Sequence, residues 1–167
     1  MAAIEVGARA PRLDAPLEDA EGRSRVVAEA LTRGPVLLGI YKSSCEASKT
    51  MLPFLERLRQ RHADAPLTVL GVSQDSPNIT RSFARRYGLA FPILIEPEGF
   101  PVSRAFDIMA TPTVYVIRTD GTVVYTTMGF FKAPVNELGD AVAAELGQEP
   151  TPLVTEADAD VPMFVPG

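Results

Sequence analysis

The stretch Pro35-Val36-Leu37-Leu38-Gly39-Ile40-Tyr41-Lys42-Ser43-Ser44-Cys45-Glu46-Ala47-Ser48-Lys49 decides how this chain is read. Its first seven residues are apolar almost without interruption, the pattern of a strand covered on both faces. Three polar residues, Lys42, Ser43 and Ser44, then end the strand. From Cys45 the pattern changes to helical spacing, with Ala47, Met51, Phe54, Leu55 and Leu58 on one face. A strand that turns and delivers a cysteine to the first turn of a helix places the thiol among unpaired N–H groups and the positive end of the helix dipole. Both favour the thiolate, which is the nucleophilic form. The alternative is a buried filler, since a free cysteine packs well in cores.

The helix reads from Cys45 to about residue 63, with Pro53 inside it, where one hydrogen bond is lost and the axis bends. Upstream, Leu13 to Leu17 and Ser24 to Val27 read as two short strands about a turn at Gly22, and Ala28 to Leu31 as one helical turn. Downstream, 67–73 is a second buried strand. Asp75 or Ser76 caps a helix with Pro77 at its first position, Ile79, Phe83 and Tyr87 inward, and Gly88 at its end. Pro92 to Ile95 begins a short strand, and Val102 to Phe106 a short helix. Strands 113–117 and 122–127 flank an Asp120-Gly121 hairpin turn. Pro134 to Leu146 is a final amphipathic helix. The order predicts an α/β domain, a mixed sheet flanked by helices with an N-terminal hairpin extension.

We divide the chain into a domain, 1–149, and a tail, 150–167. The tail is rich in proline and acids and has no basic residue, so it is expected to be extended and poorly ordered. Its apolar end, Val161 to Val165, suggests docking beside the Phe130-Phe131 loop instead.

Composition narrows the function. The 167 residues carry a net charge of −5, which argues against nucleic acid as a partner. One cysteine excludes an internal disulfide, and one histidine excludes a multi-histidine metal site. That histidine, His62, lies some 25 Å along the same helix from Cys45, too far to pair with it, and is expected to be solvated. No apolar run approaches the length that spans a bilayer. No secretory leader is visible, so the expectation is a cytoplasmic protein, without membrane contact and with no cofactor. Oligomeric state is not readable.

Several motifs together resemble the thioredoxin fold. The resemblance is to the TlpA/ResA-type thiol–disulfide reductases and the wider alkyl hydroperoxide reductase/thiol-specific antioxidant (redoxin) superfamily, over roughly residues 10–147. Cys45-Glu46-Ala47-Ser48-Lys49 stands where that family has Cys-x-x-Cys-Lys, and Pro53 where it kinks the active-site helix. Ala110-Thr111-Pro112-Thr113 is similar to its cis-proline loop. The resemblance implies a cis Pro112, whose isomer the sequence alone leaves open. It also implies Cys45 as nucleophile, and Thr111, Pro112 and Ser44 as the substrate-binding ledge. Three positions depart from the family pattern: Ser48 replaces the second cysteine, Ser44 the tryptophan, and Met51 a glutamate. Ser48 is either an ordinary first-turn residue or a hydroxyl donor to the Cys45 thiolate. The expected activity is monothiol thiol–disulfide exchange, with protein or low-molecular-weight thiol and disulfide partners and an external resolving thiol. A one-Cys thiol peroxidase is the alternative, although Lys42 and Leu38 stand where its signature wants Thr or Ser and Pro. A redox-inactive binding module is the third reading.

Overall fold

The computed structural model describes residues 4–167. A seven-stranded sheet runs in the order β2-β1-β5-β4-β3-β6-β7. Its strands are β1 (Leu17–Asp19), β2 (Ser24–Arg25), β3 (Val36–Tyr41), β4 (Thr68–Ser73), β5 (Ile93–Ile95), β6 (Thr113–Ile117) and β7 (Val123–Met128). Strands β3, β4 and β5 are parallel; β6 lies antiparallel to β3, β7 to β6, and β1 to both β2 and β5. The helices are α1 (Val27–Leu31), α2 (Glu46–Arg61), α3 (Pro77–Tyr87), α4 (Pro101–Phe106) and α5 (Lys132–Glu145).

Period-two alternation splits the central strands between two cores. Leu37, Tyr41, Val69, Val114 and Val116 pack with α2, α3 and α5. Val36, Leu38, Ile40, Leu70, Val72, Tyr115 and Ile117 pack with α1 and α4. Gly39 lets α2 approach β3 closely, since a Cβ there would stand 2.8 Å from Leu55 Cδ1. Pro53 lies inside α2 without ending it.

Three local expectations need correction. The first strand begins at Leu17 rather than Leu13, because Arg12 takes a positive φ of 58° and turns the chain; Leu13 is nonetheless buried. In α3 the buried residues are Thr80 and Phe83, while Ile79 is exposed. Each four-residue step overshoots a turn by about 40°, so a stripe of i, i+4 residues drifts off the inner face. His62 is buried rather than solvated, its Nδ1 2.9 Å from Gln148 Oε1.

The tail is also more ordered than its composition suggests. Residues 156–158 form a 3-10 turn with a capping box at Thr155, and Phe164–Val165 form β9. That strand pairs with β8 (Phe130–Phe131). Leu153 is fully buried in the α2/α5 core, and both its N–H and that of Val154 bond to Asn136 Oδ1 at 2.9 and 2.8 Å. Proline and acid content lowers intrinsic order, but specific polar partners on α2 and α5 replace it. Arg57 grips Asp158 with two bonds of 2.9 and 3.0 Å, and Arg61 binds the carbonyls of Thr151 and Pro152.

Two buried carboxylates give the fold an acid limit. Hydrogen bonds from Arg57 hold the Asp158 carboxyl below its ordinary range. Burial pushes Glu56 up, but hydrogen bonds from Arg59, the Ala90 N–H and Gln60 outweigh it, and the net direction is down. A folded value below the unfolded one stabilises above the unfolded value, roughly 3.9–4.3. That contribution is lost as pH falls through the folded value. Thermal midpoints are therefore expected to be flat from pH 7 to about 5 and to fall steeply below about 4. Glu56→Gln and Asp158→Asn should flatten the acid limb, and an unaltered limb would contradict this assignment.

Candidate active site

The site sits at the carboxyl ends of β3 and β4. Residues 42–45 turn off β3, closed by a Cys45 N–H bond to Lys42 O of 3.1 Å. Cys45 is the N-cap of α2 in extended conformation, and its carbonyl accepts from the Lys49 N–H at 3.2 Å. The sulfur is half-buried and lies 3.2 Å from Thr111 O, to which the thiol donates. The Thr111–Pro112 bond is cis, Pro112 is buried, and its carbonyl accepts from the Gly129 N–H at 2.8 Å.

Partial burial pushes the Cys45 thiol up; the Ser48 N–H, the Thr111 side chain, the Ala47 N–H and the Ser48 hydroxyl around the sulfur outweigh it and bring the thiol below its ordinary value, without a cap hydrogen bond closing on the sulfur. Thr111 O can only accept, so it favours the protonated thiol, and the lowering rests on the donors. The lysines contribute less than the sequence suggests. Lys49 pairs with Glu46 at 2.8 Å, and Lys42 projects into solvent.

The structure brings together Cys45, Ser48, Thr111 and Pro112, with Ser44 exposed on the turn beside them. Ser48 is fully buried, and its Oγ accepts from the Lys42 N–H at 3.4 Å, so it also holds the turn.

Two nearby residues have contacts that the sequence reading did not assign to them. Asp75, read as a helix cap, instead accepts from the Ser43 N–H at 2.8 Å and ties the cysteine turn to the end of β4; Ser76 is the cap of α3. Tyr41 is fully buried, with its ring 5.0 Å from that of Phe83. Its hydroxyl alone among the described buried side-chain polar atoms has no partner at hydrogen-bond distance. Neighbouring Ser73 Oγ already bonds Thr80 Oγ1 and the Asp75 N–H. No spacing rule announces either residue, because both depend on where β3 and β4 end relative to each other.

A thiol at the N-cap of the helix after a central strand, facing a cis-proline loop, defines a thioredoxin-like domain. The chain belongs to the AhpC/TSA family, whose model matches residues 6–126. It is 30% identical over 131 residues to the thiol-disulfide oxidoreductase ResA of Halalkalibacterium halodurans, covering 77% of this chain and 73% of that protein. It is also 30% identical over 124 residues to the thioredoxin-like protein YneN of Bacillus subtilis, covering 72% and 69%. The fold matches a structure assigned as the thiol:disulfide interchange protein DsbE of Chlorobium tepidum, with TM-score 0.77, 22% identity and coverage of 87% and 100%. It matches peroxidoxin BcpB of Mycobacterium tuberculosis with TM-score 0.71, 21% identity and coverage of 87% and 99%. The same scaffold thus carries proteins named for both disulfide and peroxide chemistry.

Proposed function

We propose that this protein is a thiol–disulfide oxidoreductase that works through one thiol. The observation that carries the reading is the half-buried Cys45 sulfur at the start of α2, 3.2 Å from the backbone that precedes cis-Pro112. The names of its ResA relatives support disulfide exchange over peroxide reduction.

The cycle follows from the residues present. The Cys45 thiolate attacks one sulfur of a substrate disulfide; a Cys45–sulfur bond forms and the other substrate sulfur leaves as thiolate. Ser48 stands one helical turn away, where an internal thiol would resolve the adduct. A hydroxyl cannot, so an external thiol must attack the mixed disulfide and release Cys45. A cavity of about 300 Å³ beside Ser43, lined by Lys49, Asn78, Ser82, Arg86 and Tyr87, offers the Arg86 guanidinium, with Lys49 beside it paired to Glu46, to an anionic low-molecular-weight thiol. Thr111, Pro112 and Ser44 form the ledge for a protein substrate.

Incubation with oxidised glutathione is expected to add one glutathione per chain, seen by intact mass, and the adduct should persist until a thiol is supplied. Cys45→Ser should take up none. A wild-type chain left unmodified at neutral pH would overturn the reading in favour of a binding module, which would retain its partners in a Cys45→Ala variant.

A further inference from the structure

Residues 148–167 turn back across α2 and reach the mouth of the site. Two clasps hold their path. Arg57 binds Asp158 and the Leu153 carbonyl. Lys132 Nζ binds the carbonyls of Asp158 and Val161 at 2.6 and 3.0 Å, and the Lys132 N–H binds Met163 O at 2.9 Å. Beyond the clasps, β9 adds to β8 as an antiparallel strand, with Val165 opposite Phe130 and Phe164 opposite Phe131. The Phe131 and Phe164 rings lie 4.6 Å apart. Gly167 then rests on the proline loop. A methyl group on it would stand 2.5 Å from Thr111 O and 3.3 Å from Gly129 Cα. Thr111 O is the atom that receives the Cys45 thiol.

The last five residues hold on weakly. Met163 and Phe164 are 70% and 51% exposed, so docking removes little of their apolar surface from water. Backbone pairing, one aromatic contact and the partly buried Val165 side chain keep the segment in place, which is how an extended polypeptide adds to a sheet edge. An occupant held this way, and tethered to its own site, competes at an effective concentration of about millimolar.

We infer that the edge from β8 to Thr111 is a polypeptide-binding surface. Residues 163–167 occupy it in place of an extended segment of a disulfide-bearing protein, which must displace them. The segment that fits places an aromatic side chain against Phe131, an apolar one over Phe130, and its cysteine beside Thr111, where Gly167 now lies. The surface serves the exchange reaction proposed above and rests on that reading. The chemistry is unchanged: Cys45 bonds to the substrate sulfur beside Thr111, and the partner sulfur departs as thiolate.

The test uses the full chain with Phe164→Ser and Val165→Ser together, which leaves Leu153 and both clasps in place. Two disulfides are compared: hydroxyethyl disulfide, and the disulfide-linked dimer of the peptide Val-Pro-Met-Phe-Val-Pro-Cys. The variant is expected to react with the peptide disulfide at least about tenfold faster than the wild-type chain. Its rate with hydroxyethyl disulfide should change less than about twofold, which also shows that the site has kept its form. Equal acceleration with both reagents would make the tail a general cover and overturn competition for this surface. No acceleration with either would place the tail outside the substrate path. Failure of hydroxyethyl disulfide to modify the wild-type chain would instead overturn the exchange reading beneath it.

Discussion

Replacing Ser48 with cysteine is expected to turn a chain that stalls as a mixed disulfide into a self-resolving reductase. Ser48 is fully buried one turn after Cys45, so a thiol there has the Cys45 adduct within reach and little exposure to other oxidants. An intramolecular attack replaces a collision with an external thiol, and the lifetime of the glutathione adduct should shorten by at least about a hundredfold. Reduction of insulin disulfides by dithiothreitol should accelerate more in the variant than in the wild-type chain, whose adduct waits for dithiothreitol to resolve it. A Ser48→Cys variant that closes its disulfide yet leaves insulin untouched would place the divergence in the substrate ledge rather than in the lost cysteine.

The second large effect is on stability, and it lies in the tail. Leu153 is fully buried and packs closely on α5, where a Cβ on Gly139 would meet its Cβ in ordinary contact at 3.7 Å. Leu153→Ala removes that packing and leaves a cavity between α2 and α5, at a cost of about 2–5 kcal/mol. In a domain of this size each kcal/mol is worth roughly 2–4 °C, so the thermal midpoint should fall by about 4–20 °C. Val161→Ala, at a half-buried position between exposed neighbours, should cost much less. A Leu153→Ala midpoint within 2 °C of wild type, on the same scale, would mean that the tail does not hold its place in the core.

How much of this was legible beforehand depends on the range of the interactions. The apolar run of β3, the switch to helical spacing at Cys45, the Ser76 cap and the Gly88 stop of α3 are local signals, and each marks its element to within a residue or two. The mixed sheet follows from their order. What escaped is long-range. His62 is buried because Gln148, 86 residues away, supplies a partner. Of the two cap candidates Ser76 caps α3, and Asp75 instead accepts the N–H of Ser43, 32 residues earlier. The tail is ordered because Arg57, Arg61, Lys132 and Asn136 satisfy its backbone and its acid, none of which its own composition reveals. At the site, Cys45 was placed by the local pattern and Thr111 by resemblance, and the fold brings them to 3.2 Å across 66 residues of chain.

The pH dependence of Cys45 alkylation by iodoacetamide tests the central claim most directly. The protein has one cysteine, so every alkylation event reports on it. Donors at the start of α2 lower the thiol despite its partial burial. The rate is therefore predicted to rise with pH along a single titration whose midpoint lies below the free-cysteine value of about 8.5. A midpoint at or above that value, or a thiol that stays unreactive across the range, would contradict the account.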